Sequence, residues 1–185
     1  MEYCREMLTR DGEPLMIRSL TNKEAHAALF LMHQCMGETP FLARYPDEIT
    51  LTVSQEAQYI EEMNAKAGGL LLGAFLGREI TGLCNIRPVA PNERYHHRAD
   101  MGIMVAKKHW GKGIGSAMMQ TLIEAAKETA FEQIELDVVS ANSAAIALYQ
   151  KHGFVRYGLL ERGMKYRDGS YADLLLMKLD LTKLR

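Results

Sequence analysis

The chain has 185 residues, 48% of them hydrophobic and 24% charged, which is enough for one domain with a packed core and too short for two comfortable ones. A formal net charge of −1 leaves no field of one sign, so charge argues against nucleic acid or an anionic membrane as partner. The three cysteines, Cys4, Cys35 and Cys84, are odd in number and far apart, without zinc or disulfide spacing. They read as reduced thiols, Cys35 and Cys84 as packing residues, and no metal is expected. The start MEYCREMLTRDGE lacks an apolar signal core, and LLLGAFL at 70 to 76 is too short to cross a bilayer; the expected location is cytoplasmic.

After a polar start, LMIRSL (15 to 20) predicts a first strand. Thr21 and Glu24 have capping-box spacing for a helix to about Met36. The loop GETPFLARYP follows, with Phe41, Arg44 and Tyr45 as pocket-lining candidates. Ser54 is expected to cap a second helix over 55 to 66, with Ile60, Met63 and Ala67 on its buried face and Gly68 and Gly69 at its end. Then GLLLGAFL and EITGLCNIRPV read as strands joined at GRE, and RADMGIMV (98 to 105) as a third.

That third strand runs into KKHWGKGIGS and a helix to about Thr129. QIELDVV is another strand, and NSAAIALYQKH a helix closed by Gly153. FVRYGLLERGMKY and SYADLLLMKLDL are two strands turning at Arg167, Asp168 and Gly169. The order is strand, two helices, three strands, helix, strand, helix, two strands. It predicts an α/β (α+β) domain over 1–185, with a mixed, mostly antiparallel sheet and helices on both faces.

The glycine loop carries the first chemistry. In GKGIGS, Lys112 is followed by Gly113 rather than serine or threonine, which removes the Walker pattern, and the glycine spacing is not the dinucleotide fingerprint. What remains is a row of unhindered backbone N–H groups at the positive end of a helix, a site for a pyrophosphate. Lys107, Lys108 and Lys112 are candidates to add charge, although surface lysines usually only solvate a face. A tight strand-to-helix turn would need the same glycines.

The second motif is NSAAIALYQKHGF, 142 to 154. Asn142 is a good cap, and Tyr149, seven residues on, lies on nearly the same side of the helix. With the loop one strand earlier, this pair resembles the GNAT superfamily of acyl-coenzyme A dependent N-acetyltransferases, over roughly residues 70 to 181. The resemblance implies acetyl-coenzyme A as co-substrate, with the pyrophosphate at Trp110, Gly111, Lys112, Gly113, Ile114, Gly115 and Ser116. It implies the pantetheine arm along the backbone of Met104 and Val105 and beside Asn142. Trp110 departs from the family, which usually has arginine or glutamine there.

Acyl transfer to an amine needs a donor for the developing oxyanion, for which the Val105 N–H is the candidate. It needs a proton for the leaving thiolate, which the phenol of Tyr149 can give. It also needs a proton acceptor. The resemblance implies a carboxylate at Asp100, with His96 and His97 as alternatives on titration range. The RDGSYAD turn is similar to the branch acting on small amines and amino acids; Phe41, Arg44, Tyr45, Arg87 and Tyr171 are its candidate acceptor residues, an arginine gripping a carboxylate. Two other readings stay open, a protein or peptide N-acetyltransferase and a non-catalytic acetyl-coenzyme A sensor. A homodimer is common in proteins of this kind.

Overall fold

The computed structural model describes residues 3–65 and 68–184. Among them are eight strands, β1 (Cys4–Leu8), β2 (Pro14–Ser19), β3 (Leu70–Leu76), β4 (Glu79–Pro88), β5 (Arg98–Val105), β6 (Gln133–Val139), β7 (Val155–Lys165) and β8 (Tyr171–Asp180). Four α-helices accompany them: α1 (Ala25–Glu38), α2 (Val53–Ala65), α3 (Ile114–Lys127) and α4 (Ser143–Lys151). The strands form one sheet in the order β1-β2-β3-β4-β5-β6-β8-β7. Every neighbouring pair is antiparallel except β5 with β6, which is parallel. No helix among the described residues is long and apolar enough to cross a membrane.

Strand alternation sorts the side chains into two cores. On one face Cys84, Ile86, Ala99, Met101, Ile134, Leu136 and Val138 pack with Ile114, Met118 and Leu122 of α3 and with Tyr149 of α4. On the other, Leu71, Phe75 and Leu83 pack with Leu31 and Cys35 of α1 and Ile60 and Met63 of α2. Cys35 and Cys84 are packing residues as expected, and burial pushes both thiols up to about 12.

Two expectations are corrected near the start of the chain. The segment read as polar contains β1; Met7 of the strand and Tyr3 just before it pack against the α3 core while Arg5 between them pairs with Glu124 of α3. An arginine in the middle of the buried face erased the alternation that marks a strand. The second helix is capped by Thr52, not Ser54. Thr52 Oγ1 accepts from the Gln55 N–H at 3.2 Å, and Gln55 Oε1 accepts from the Thr52 N–H at 2.9 Å, a reciprocal box. Ile60 and Met63 are buried as predicted; Ala67 lies outside the described residues.

The feature that positions the site is the one parallel pair. β5 and β6 are in register only over Arg98–Gln133, Ala99–Ile134 and Asp100–Glu135. A two-pronged ion pair holds that base, with Arg98 Nη2 at 2.7 Å from Glu135 Oε2. Beyond Asp100 the strands part, although β5 continues to Val105 and β6 to Val139. A wedge therefore opens in the middle of the sheet, with α3 starting at one lip and α4 at the other.

Candidate active site

The glycine loop sits at the open end of β5. Gly111 and Gly113 have φ of +81° and +86°, a left-handed backbone that costs other residues about 1–2 kcal/mol. These turns bring successive N–H groups to the start of α3, whose first helical bond runs from Ala117 N–H to Gly113 O at 3.0 Å. The N–H groups of Gly111, Lys112, Gly113, Ile114, Gly115 and Ser116 have no backbone acceptor among the described residues. The donors needed to hold a pyrophosphate are present.

The side chains around the loop depart from the sequence reading. Lys112 Nζ is 2.8 Å from Glu13 Oε2, so its charge is already paired with the turn after β1. Lys108 pairs with Glu79, whose Oε1 also lies 3.3 Å from His109 Nε2, while the Lys107 backbone N–H bonds Glu38 Oε2 at 2.6 Å. Ser116 Oγ lies 2.9 Å from His152 Nε2 and accepts from Lys151 Nζ at 3.3 Å. The cradle is thus made of backbone. Trp110 is half exposed and donates its indole N–H to Val105 O at 2.7 Å; the side chain expected to meet phosphate instead fastens the strand end.

Bond alternation along β5 decides which backbone groups face the wedge. Val89 N–H bonds Arg98 O, and Ala106 N–H bonds Thr81 O. With the Leu83–Met104 register, the even-numbered residues of β5 therefore turn their peptide groups toward β4. Met104 is corrected on this ground, because its N–H and C=O belong to the β4 ladder. Val105 faces the wedge, as does Ile103, which the sequence reading missed. Counting alternation back from the last ladder bond would have found it. The Val105 carbonyl is occupied by Trp110, but its N–H remains directed into the wedge.

On the other lip, Asn142 caps α4 by accepting from Ala145 N–H at 3.2 Å. Its side-chain NH2 has no partner among the described residues. Tyr149 lies about 10 Å further along the helix axis. It is 8% exposed and packs on Phe154 with ring centroids 5.8 Å apart. Burial pushes its phenol up to about 12, and the Asp137 carboxylate adds to the shift. Its hydroxyl has no hydrogen-bond partner among the described residues.

At the base of the wedge is an open recess of roughly 260 Å³, lined by Arg87, Val89, Asp100, Glu135, Leu136, Asp137, Tyr157 and Leu176. Asp100 is among them, and Arg87 Nε and Nη2 both bond its Oδ2, at 3.2 and 3.0 Å. Burial raises Asp100 above the ordinary carboxylate range, opposed by Arg87 and reinforced by Asp137 and Glu135. The same pair corrects the reading of Arg87 as a free fork for an acceptor carboxylate. Asp137, which the sequence reading missed, has no ion-pair partner among the described residues. It lies two residues beyond Glu135, on the open side of the last β5–β6 pair. Its position two residues after Glu135 on a strand of buried alternates was the signal, since i and i+2 share a face.

The remaining candidates fall elsewhere. His96 and His97 stand in the turn before β5, about 25 Å along the strand from Val105. Tyr45 lines a separate hollow with Pro40, Tyr166, Arg167, Asp168 and Ser170; there its hydroxyl accepts from the Arg167 N–H at 2.9 Å, and Arg167 Nη2 pairs with Asp47 at 2.7 Å. Tyr171 is covered by the Arg162 guanidinium, 3.9 Å from its ring centroid. Phe41, Arg44 and Tyr171 line neither recess.

The profile of the Acetyltransferase (GNAT) family matches residues 32–154. The chain belongs to the GNAT family of acetyltransferases. Among its GNAT relatives, the L-amino acid N-acetyltransferase AaaT of Escherichia coli (strain K12) is 32% identical over 133 residues, 69% of this chain and 80% of that protein. The N-alpha-acetyltransferase RimI of Mycobacterium tuberculosis is 30% identical over 175 residues, 94% of this chain and 97% of the relative. A crystal structure of a GNAT-family acetyltransferase from Streptococcus pneumoniae superposes with a TM-score of 0.85 at 32% identity, covering 90% of this chain and 98% of that one. The chain is accordingly an N-acetyltransferase with the GNAT fold, an open mixed sheet with helices on both sides.

Proposed function

We propose that residues 1–185 act as one catalytic domain that moves an acetyl group from acetyl-coenzyme A to the primary amine of a small molecule. The observation that carries this reading is the alignment, along one wedge, of an N–H cradle, free strand-edge groups and an unpartnered phenol. The cradle at Gly111–Ser116 suits a pyrophosphate. The peptide groups of Ile103, the Val105 N–H and the Asn142 NH2 suit the amides of a pantetheine arm. When bound, the co-substrate supplies the activated thioester.

The chain's residues then have separate tasks. The N–H of Val105 or of Ile103 donates to the carbonyl oxygen as it gains negative charge. The acceptor arrives largely as an ammonium, since alkyl amines have pKa values near 10.4, and must lose a proton to attack. Asp137 is the better placed carboxylate for that proton, because Asp100 is held by Arg87 and lies about 16 Å below Val105 along the strand. As nitrogen bonds the acetyl carbon and the carbon–sulfur bond breaks, Tyr149 gives its proton to the sulfur. The proton that nitrogen sheds on becoming an amide restores the phenol through solvent, Asp137 passes the ammonium's first proton to solvent, and the turnover releases one proton overall.

The acceptor class is tested by coenzyme release with free amino acids, other small amines and short peptides. Release with small amines alone is the expected result. Release with peptides alone would favour the second reading, which the 94% coverage by the N-alpha-acetyltransferase relative supports. Coenzyme binding without release under any condition would instead indicate a sensor.

A further inference from the structure

The turn between β1 and β2 lies against the back of the glycine loop, some hundred residues away in sequence. The turn is itself fixed. The Thr9 N–H bonds Glu13 O at 2.9 Å, the Gly12 N–H bonds Thr9 O at 3.1 Å, and the Glu13 N–H bonds the buried Thr9 hydroxyl at 3.0 Å. From this platform the Arg10 N–H bonds Lys112 O at 2.9 Å and Arg10 Nη1 bonds Gly111 O at 3.3 Å. The Arg10 stem also fills the space beside Gly113, where an added Cβ would meet Arg10 Cγ at 3.1 Å. Glu13 completes the clasp by pairing with Lys112.

The two carbonyls that Arg10 holds matter because of the peptide planes they belong to. The Gly111 carbonyl shares its plane with the Lys112 N–H, and the Lys112 carbonyl with the Gly113 N–H. Both peptides are trans, so each N–H points opposite to its carbonyl. Pulling the two oxygens back toward the turn aims the two N–H groups forward into the cradle. A guanidinium on the carbonyl side also polarises the peptide in the direction that strengthens its N–H as a donor.

We infer that Arg10 is a positioning residue for the pyrophosphate site, setting the direction of the Lys112 and Gly113 N–H groups from behind. Arg10 makes no ion pair among the described residues, so its charge is not consumed by a carboxylate. This inference rests on the reading of the loop as the coenzyme A cradle.

The test compares coenzyme A with pantetheine, which lacks the phosphates, by calorimetry and by amide NMR titration. Arg10→Met keeps the stem against Gly113 and removes the guanidinium; Arg10→Lys restores a charge and a donor. The expected result for Arg10→Met is a coenzyme A Kd raised about 3- to 10-fold, the value of one lost hydrogen bond. Its pantetheine Kd should stay within about twofold, its Lys112 amide shift on binding coenzyme A should shrink more than that of Gly113, whose peptide is still held through the backbone N–H that methionine keeps, and Arg10→Lys should recover part of the affinity. Unchanged coenzyme A affinity would overturn the inference, as would equal losses for both ligands, the sign of a merely structural brace. Failure of the wild-type protein to bind coenzyme A would overturn the cradle reading itself, and the inference with it.

Discussion

A phenol whose pKa is pushed to about 12 by burial together with the Asp137 charge remains a proton donor at every pH where an amine acceptor is available to react. Because the folded pKa is raised above the ordinary value of 10.0, ionisation of Tyr149 should contribute no basic limb to the rate below about pH 11. Tyr149→Phe is expected to lower kcat by about 100-fold or more while the Kd for acetyl-coenzyme A moves less than about twofold; stopped-flow turnover beside calorimetry checks both. The two carboxylates in the wedge separate in the same way. Asp137→Asn should reduce kcat by about 100-fold, whereas Asp100→Asn should mainly release Arg87 and change kcat by less than about tenfold. Comparable losses in the two variants would return the proton-accepting role to Asp100. The sequence showed Tyr149 and Asn142 because their spacing on a helix is a local signal. Asp137 was hidden because its proposed role comes from two ion pairs, Arg87 with Asp100 and Arg98 with Glu135, that leave it without an ion-pair partner among the described residues.

At the scale of elements, the glycine loop is where backbone conformation and ligand geometry coincide. Gly113 needs a left-handed backbone and has the Arg10 stem beside it, while Gly111 shares the backbone requirement with open space around it. Gly113→Ala is therefore expected to cost about 1–2 kcal/mol in stability from strain alone and to weaken acetyl-coenzyme A binding further. Gly111→Ala should show the strain without the collision. Chemical denaturation and a coenzyme titration of the two variants measure the difference. The loop, α3 and α4 were legible because glycine spacing, capping and helical periodicity all act within a dozen residues. The start of α2 was misplaced by two residues because Thr52 and Ser54 are both good caps, and the choice was made by Gln55 completing the box with Thr52. β1 was missed because an edge strand pairs on one side only, and its inward face mixes Met7 with the ion-paired Arg5.

Across the whole molecule, the proposed function depends on a defect placed in an otherwise continuous sheet. Seven of the eight strands were visible in the sequence, together with the mixed pairing, but not the wedge. Its opening is a long-range outcome: three residue pairs and the Arg98–Glu135 bridge hold β5 and β6 at the base, and α3 and α4 enter from opposite lips above it. The same topology brings the β1–β2 turn behind the cradle and the Arg167 turn against the loop carrying Tyr45 and Asp47. Periodicity reports neither juxtaposition. The central claim is that cradle, strand edge and α4 hold one long ligand, and amide chemical-shift mapping with acetyl-coenzyme A tests it most directly. The account predicts the largest shifts at Gly111–Ser116, at Ile103 and Val105, and at the start of α4. Shifts centred instead on the Tyr166–Ser170 hollow, or a cradle left unperturbed by saturating acetyl-coenzyme A, would contradict it.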